Sequence, residues 1–306
     1  MKTALTIGNF DGVHLGHKRL IHRVLHVARE HDLTPALLTF DPHPARVLAP
    51  DRAPRLLTTL EQRMKLIHAE GIEHIEVLPF TSETAKLTAE QFIKEIVTGR
   101  LSARAVVVGH NFRFGNKAAG DVRMLQELGH TYGFETDEVD AVTWRGITTS
   151  SSVIRASVQA GDVARACRML GRPYALEGDI VHGHGVGSKK TVPTLNLDTT
   201  AEVLPAVGVY ITRTCDLTGP PRWNSVTNVG YRPTFGSEDR LSIETFLLDA
   251  LEGPSPRGVE VAFLKRIREE RKFPDAETLK GQILRDVARA QAYFRRLGRR
   301  PAAESR

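Results

Sequence analysis

Short apolar runs recur through the first half of the chain, at Ala4–Gly8, Pro35–Phe40, Ile75–Pro79, Ala105–Gly109 and Glu135–Val139. Between them the period lengthens to that of a helix, as in Leu20/Val24/Ala28 and Phe92/Ile96. This alternation predicts an α/β domain: a parallel sheet with helices on both faces and ligands at the C-terminal strand edge. Another short helix, Val163–Leu170, follows Ala160-Gly161-Asp162 and is stopped by Gly171-Arg172-Pro173. Beyond Pro173 strands follow one another without long helices: Tyr174–Gly183, Val207–Cys215, Trp223–Gly230, Ser242–Asp249 and Val259–Lys265. That pattern predicts an antiparallel barrel or sandwich closed by a C-terminal helix, Ala276–Leu297. The expected domains are therefore residues 1–172 and 173–306, with Pro301–Arg306 a frayed tail.

A length of 306 residues suits two domains, and 41% apolar with 25% charged residues is ordinary for a globular chain. No apolar run approaches the ~20 residues that span a bilayer, and Met1-Lys2-Thr3 leads into a strand without a signal-peptide pattern. A cytoplasmic protein without a membrane partner is expected. Cys167 and Cys215 lack metal or redox spacing and read as reduced structural thiols. The twelve histidines form no zinc motif. A net charge of +6 fits either nucleic acid or anionic nucleotides. The basic residues are dispersed or gathered near the C-terminus without interleaved aromatics, so no nucleic-acid partner is expected.

Candidate chemistry begins at Gly8-Asn9-Phe10-Asp11-Gly12-Val13-His14-Leu15-Gly16-His17, which reads as strand end, glycine turn and helix start. Helix N-terminal N–H groups and two imidazoles there suit a polyphosphate whose bond is breaking. The plainer alternative is a surface turn that happens to hold two histidines. After the second strand, Phe40-Asp41-Pro42-His43-Pro44 offers Phe40 and His43 to a flat ring, although taken alone a proline-bounded turn is the commoner explanation. After the fourth strand, Gly109-His110-Asn111-Phe112-Arg113-Phe114-Gly115 suits an aromatic, phosphorylated ligand. Thr149-Ser150-Ser151-Ser152-Val153-Ile154-Arg155 is either an ordinary N-cap or a grip on phosphates.

Together, Gly8–His17 and Ser150–Arg155 resemble the nucleotidyltransferase superfamily with its His-x-Gly-His and Ser-Ser-x-x-x-Arg signatures. The loops at Phe40–Pro44 and Gly109–Gly115 are similar to its FMN adenylyltransferase branch. The resemblance implies that His14 and His17 contact ATP phosphates in the transition state, and that Ser151, Ser152 and Arg155 hold the triphosphate. It also implies nucleotide contacts from Gly8, Asn9, Asp11, Gly16 and Asn111, and flavin contacts from Phe40, His43 and Phe112. No covalent nucleophile is implied.

In the second half, Gly183-His184-Gly185-Val186-Gly187-Ser188-Lys189-Lys190 lacks the following helix that a dinucleotide fingerprint needs. It reads as a phosphate-covering flap through Gly185, Gly187 and Lys189, or as an ordinary hairpin loop. In Pro193-Thr194-Leu195-Asn196, the hydroxyl and amide two residues apart share one side of a strand and suit Mg²⁺ bound with ATP. Glu244, inside Ile243–Asp249, is the candidate carboxylate base for phosphorylating an alcohol, and a solvated strand glutamate is the alternative.

These segments resemble the riboflavin kinase domain that follows FMN adenylyltransferase in bacterial bifunctional FAD synthetases. Leu170–Tyr174, Leu204–Tyr210, Asn228–Thr234, Ile267–Phe273 and Gln282–Asp286 support the match in the family's order. The resemblance implies Mg-ATP at Thr194 and Asn196, a flavin contact from Arg268, and removal of the ribityl 5′-hydroxyl proton by Glu244. The chain departs from the family at Lys190-Thr191-Val192, where Leu-Gly-Phe is usual, and at Phe246, where His is frequent. It also starts directly at the first strand, so a late start codon or a missing edge strand is expected.

The expected activities are ATP-dependent conversion of riboflavin to FMN by the C-terminal domain and of FMN to FAD plus pyrophosphate by the N-terminal domain. The expected partners are small molecules, with homo-oligomerisation left open. The alternatives are a chain in which only the adenylyltransferase is fully active, and a non-catalytic flavin- or nucleotide-binding regulator.

Overall fold

A computed structural model describes residues 1–181, 194–232, 240–251 and 253–298, which divide into compact units at 1–151 and 152–306. In the first unit the chain runs β1 (Thr3–Ile7), α1 (Leu15–Glu30), β2 (Thr34–Asp41), α2 (Pro44–Leu48), α3 (Leu60–Ala69), β3 (His74–Pro79) and α4 (Ala89–Gln91). A π-helical stretch, Phe92–Arg100, continues from α4. Then come β4 (Ala103–Gly109), α5 (Val122–Tyr132), β5 (Glu135–Val139) and a small hairpin of β6 (Thr143–Trp144) and β7 (Ile147–Thr148).

The main sheet is parallel, in the order β3-β2-β1-β4-β5. Successive residues of its strands feed two cores. Leu5, Ile7, Leu38, Val106 and Val108 pack on one side, while Ala4, Leu37, Ala105 and Val107 pack on the other. A sheet covered on both faces must have apolar residues at consecutive strand positions, which is why these strands read as runs rather than alternations. The chain leaves β1 toward β2 on one side, and β4 lies on the other. The crevice at this reversal of strand order is where parallel α/β sheets bind ligands.

The second unit continues through α6 (Ser151–Gln159) and α7 (Val163–Leu170). Six strands follow: β8 (Tyr174–Val181), β9 (Thr194–Asp198), β10 (Gly208–Asp216), β11 (Gly219–Arg232), β12 (Arg240–Leu247) and β13 (Gly258–Arg268). They close an antiparallel barrel in the order β10-β11-β12-β9-β8-β13, with β13 returning to β10, and α8 (Ala276–Gly298) ends the described chain. The barrel, rather than the sandwich, is the outcome of the two architectures left open by the strand pattern. α7 buries Val163, Ala166, Met169 and Leu170 and contacts β8 and β13.

Within the barrel unit a chain of buried hydroxyls links strands: Thr214 to Ser225, Ser225 to Thr212, Thr212 to Thr227, and Thr227 to Thr245, at 2.8–2.9 Å. Each hydroxyl has a partner, as burial requires. On the outside, Val209, Ile211 and Val226 pack with Ala290 of α8. Both cysteines are free.

Candidate active sites

The turn after β1 is tightly made. Phe10 and Val13 take positive φ without being glycine, and Gly12 lies at φ 81°. Such strain persists only where the surroundings over-determine it, and here the determinants are visible. The Asp11 carboxylate, 3% exposed, accepts from Leu57 N–H at 2.9 Å and Thr58 N–H at 3.2 Å. Gly12 N–H donates to Thr58 Oγ1 at 3.1 Å. Asp11, expected on the nucleotide, is thus turned onto the backbone ahead of α3 and braces the turn.

His14 is the N-cap of α1. Its Nδ1 accepts the His17 N–H at 3.3 Å, which puts the proton of a neutral His14 ring on Nε2. The two imidazoles stack with centroids 3.7 Å apart and planes at 16°. Gly16 makes the stack possible: a Cβ there would lie 3.0 Å from His14 Cε1 and 3.1 Å from Nδ1. His17 also rests against Phe10, and its Nδ1 is buried with no partner among the described residues. Burial, then the nearby His14 and Arg63, hold the His17 pKa well below the ordinary imidazole value. The ring is therefore neutral at physiological pH.

Ser151 joins this turn by donating from Oγ to the Asp11 carbonyl at 2.9 Å. The carbonyl of Thr149 lies 3.8 Å from where a Gly16 Cβ would sit, and the Thr149 hydroxyl is buried without a partner among the described residues. Ser152, exposed, and Arg155 follow on α6 in the second compact unit.

Around the other strand ends, Phe40 packs edge-on to Phe80 with centroids 5.7 Å apart. Phe112 stacks on Phe114 at 5.5 Å and 15°. Both Phe40 and Phe112 are partly buried against the same core cluster. His43 caps α2 by accepting from Ala45 N–H at 3.2 Å. Asn111 is exposed beyond β4, its Oδ1 3.5 Å from where a Gly109 Cβ would be. Gly8 and Asn9 close β1, and the Asn9 carbonyl accepts from Thr39 Oγ1 at 3.3 Å. The residue that sequence reasoning missed here is Arg63 of α3. It is 2% exposed and donates to the carbonyls of Asn9 at 2.6 Å and Phe40 at 3.4 Å.

In the barrel, strand register assembles the second group. Glu244 on β12 sits opposite Asn196 on β9 and opposite Asn228 on β11. Directly opposed residues share a sheet face with Cβ atoms ~5 Å apart, so the three side chains form one row, with Thr194 two residues along the same face. In the sequence, Asn228 stands out only as the first residue of the Asn228–Thr234 match. Glu270 approaches this row: its carboxylate fills the space a Cβ on Gly230 would need, beside the Asn228 amide.

Arg268, expected on the flavin, donates from Nε to Asp286 at 2.8 Å, and Asp286 is 3% exposed by side chain. It also lies 5.7 Å from the Phe273 ring centre. The structure places it as a brace between β13 and α8. Gly185, Gly187, Lys189 and the unusual Lys190-Thr191-Val192 lie outside the described residues.

A family model described as FAD synthetase matches residues 1–153, and one described as riboflavin kinase matches residues 170–294. A bifunctional riboflavin kinase/FMN adenylyltransferase of Escherichia coli (strain K12) is 34% identical over 290 residues, covering 95% of this chain and 92% of the relative. The protein of that description from Bacillus subtilis (strain 168) is 35% identical over 301 residues, covering 97% and 94%. A crystal structure described as a macrolide-efflux protein from Streptococcus pneumoniae superposes with a TM-score of 0.85 at 26% identity, covering 95% of this chain and 94% of that one. Among the described residues of the present chain, no helix is long and apolar enough to cross a membrane.

Proposed function

The chain belongs to the bifunctional riboflavin kinase/FMN adenylyltransferase family, and on that premise we propose how its residues share the work. It phosphorylates riboflavin to FMN through the C-terminal part and adenylylates FMN to FAD through the N-terminal part. The functional division is proposed near residue 172, so that α6, with Ser152 and Arg155, serves adenylyl transfer. The FAD synthetase match ends at 153 and the riboflavin kinase match begins at 170, two residues before that boundary.

In adenylyl transfer an FMN phosphate oxygen forms a bond to the α-phosphorus of ATP. The bond from that phosphorus to the β-phosphate bridging oxygen breaks, and pyrophosphate leaves with the electron pair. The protein's task is to hold two polyanions in line and stabilise the charge developing between them. His14 donates from Nε2, and His17 is the neutral imidazole beside it. Ser151, Ser152 and Arg155 hold the triphosphate, while Gly8, Asn9 and Asn111 border the nucleotide. Phe40, His43 and Phe112 face the flavin. The observation that carries this half is a polar imidazole nitrogen, His17 Nδ1, buried at a helix N-terminus without a partner among the described residues.

In the kinase reaction, Glu244 takes the proton of the riboflavin 5′-hydroxyl as that oxygen bonds to the γ-phosphorus and ADP departs. Asn196 and Asn228 flank the carboxylate and orient it. The hydroxyl of Thr194 and the amide oxygen of Asn196 fit Mg²⁺, which takes one or two protein oxygens together with substrate phosphates. Held there together with ATP, the ion would supply charge neutralisation at the phosphates. The remaining partners are small molecules, the proposed location is cytoplasmic, and neither nucleic acid nor membrane has a part.

Product analysis by HPLC tests the division. Glu244→Gln is expected to lower FMN formation at least ~100-fold, the usual minimum for a positioned general base, while FAD still forms from supplied FMN. His17→Ala is expected to do the reverse. If each change reduced both reactions equally, or neither, the assignment would fail.

A further inference from the structure

Arg63 belongs to an amphipathic helix, yet its side chain is buried and makes no ion pair among the described residues. Its two terminal nitrogens instead donate to two backbone carbonyls: Asn9, just past β1, and Phe40, near the end of β2. One guanidinium therefore spans the turn that carries His14 and His17 and the turn that carries Phe40 and His43. A planar fork with fixed donor directions sets a separation in a way that a lysine ammonium does not. The rest of the α3 entry makes the same attachment: Asp11 is held by Leu57 and Thr58, and Gly12 by Thr58. A buried cation is costly, and Arg63 Nε is buried with no partner among the described residues. Packing alone would be served by an apolar side chain at that position.

From this geometry we infer that Arg63 is the positioning residue that sets the spacing between the nucleotide-binding turn and the flavin-side turn for adenylyl transfer. The inference rests on the proposed placement of that reaction at His14 and His17. The charge has a second consequence. His14 and Arg63 are the charged or titratable groups acting on His17, and Asp11 and Asp41 act on Arg63. Removing the cation takes away a charge that disfavours a second cation nearby and so makes His17 easier to protonate.

The test uses the full chain, with its own riboflavin kinase reaction as the internal reference. Arg63→Gln is expected to lower kcat/KM for FAD formation by ~100-fold, the scale of a small misplacement of reacting groups. It should raise KM for FMN as well as lower kcat, move the acid limb of the pH profile upward, and leave FMN formation unchanged. Arg63→Lys should keep the acid limb near its wild-type position while still losing kcat/KM. Rates are expressed per folded molecule, taken from parallel denaturant titrations. Wild-type kcat, KM and pH profile per folded molecule in Arg63→Gln would overturn the inference, leaving Arg63 a stability residue. His17→Ala is run alongside: unchanged FAD formation there would instead overturn the site on which the inference rests.

Discussion

A buried imidazole, stacked on another imidazole and acted on by a nearby guanidinium, gives up its proton readily. For His17 the depressed folded-state pKa has a thermodynamic counterpart. The unfolded chain binds a proton near pH 6.5, whereas the folded one does so only at lower pH, so between those values the unfolded state holds more protons. Stability from the neutral ring is thus complete above about pH 6.5 and is lost as pH falls toward the folded pKa. Urea titrations at pH 7.5 and 5.0, followed on the N-terminal unit, should show a smaller acid loss in His17→Gln than in wild type. Equal losses would mean that another group carries the acid sensitivity. At this scale the local pattern marked most of the residues to which chemistry is proposed here: His14, His17, Ser151, Thr194, Asn196 and Glu244. Arg63 and Asn228 were not. An arginine on an amphipathic helix reads as solvated until the helix docks, and a strand asparagine gains meaning only from what lies across the ladder.

Among the elements, α8 shows how polar groups attach a helix to a barrel. Its buried residues Gln282, Asp286 and Ala290 recur every fourth position and form one stripe. Two of the three are polar. Gln282 Nε2 donates to Asp286 Oδ1 at 2.8 Å, Asp286 accepts from Arg268, and Arg271 reaches Gln282. Asp286→Ala leaves the partly buried Arg268 without its carboxylate, and losing one partner of such a pair costs about 3 kcal/mol. The C-terminal unit should unfold at correspondingly lower urea, and FMN formation should fall if Glu270 moves with the adjoining segment. An unchanged midpoint would show that the pair contributes nothing to docking α8. The helix itself was legible over Ala276–Leu297, but apolar periodicity has no symbol for a stripe that is polar at one end. The buried hydroxyls of β10, β11 and β12 were hidden for the same reason, since Thr and Ser at alternating positions look like a solvated face.

For the whole chain, the compact units divide at Ser151 rather than at the change in sequence character near 172. α7 accounts for much of this, because its apolar face lies against β8 and β13. A fragment of residues 152–306 should therefore keep riboflavin kinase activity and a cooperative transition. A fragment of residues 173–306, which uncovers that barrel surface, should be less stable and aggregate more readily. Matching stability and FMN formation in the two fragments would count against α7 as part of the barrel unit.

Local sequence determined a great deal: the strand and helix periods, the class of each half, and the glycine, histidine, serine and carboxylate motifs with their order. These depend on neighbouring residues, whose spacing along the chain is their spacing in a helix or strand. Tertiary structure alone decided that the barrel closes through β13 and β10, that Asp11 and Arg268 act as braces, and that Asn228 joins Glu244. It also decided that Arg63 ties two turns together. Each of these is a contact between residues far apart in the chain. The side chains involved are polar, so their identity fixes what they can bond but not which distant partner the fold will bring to them.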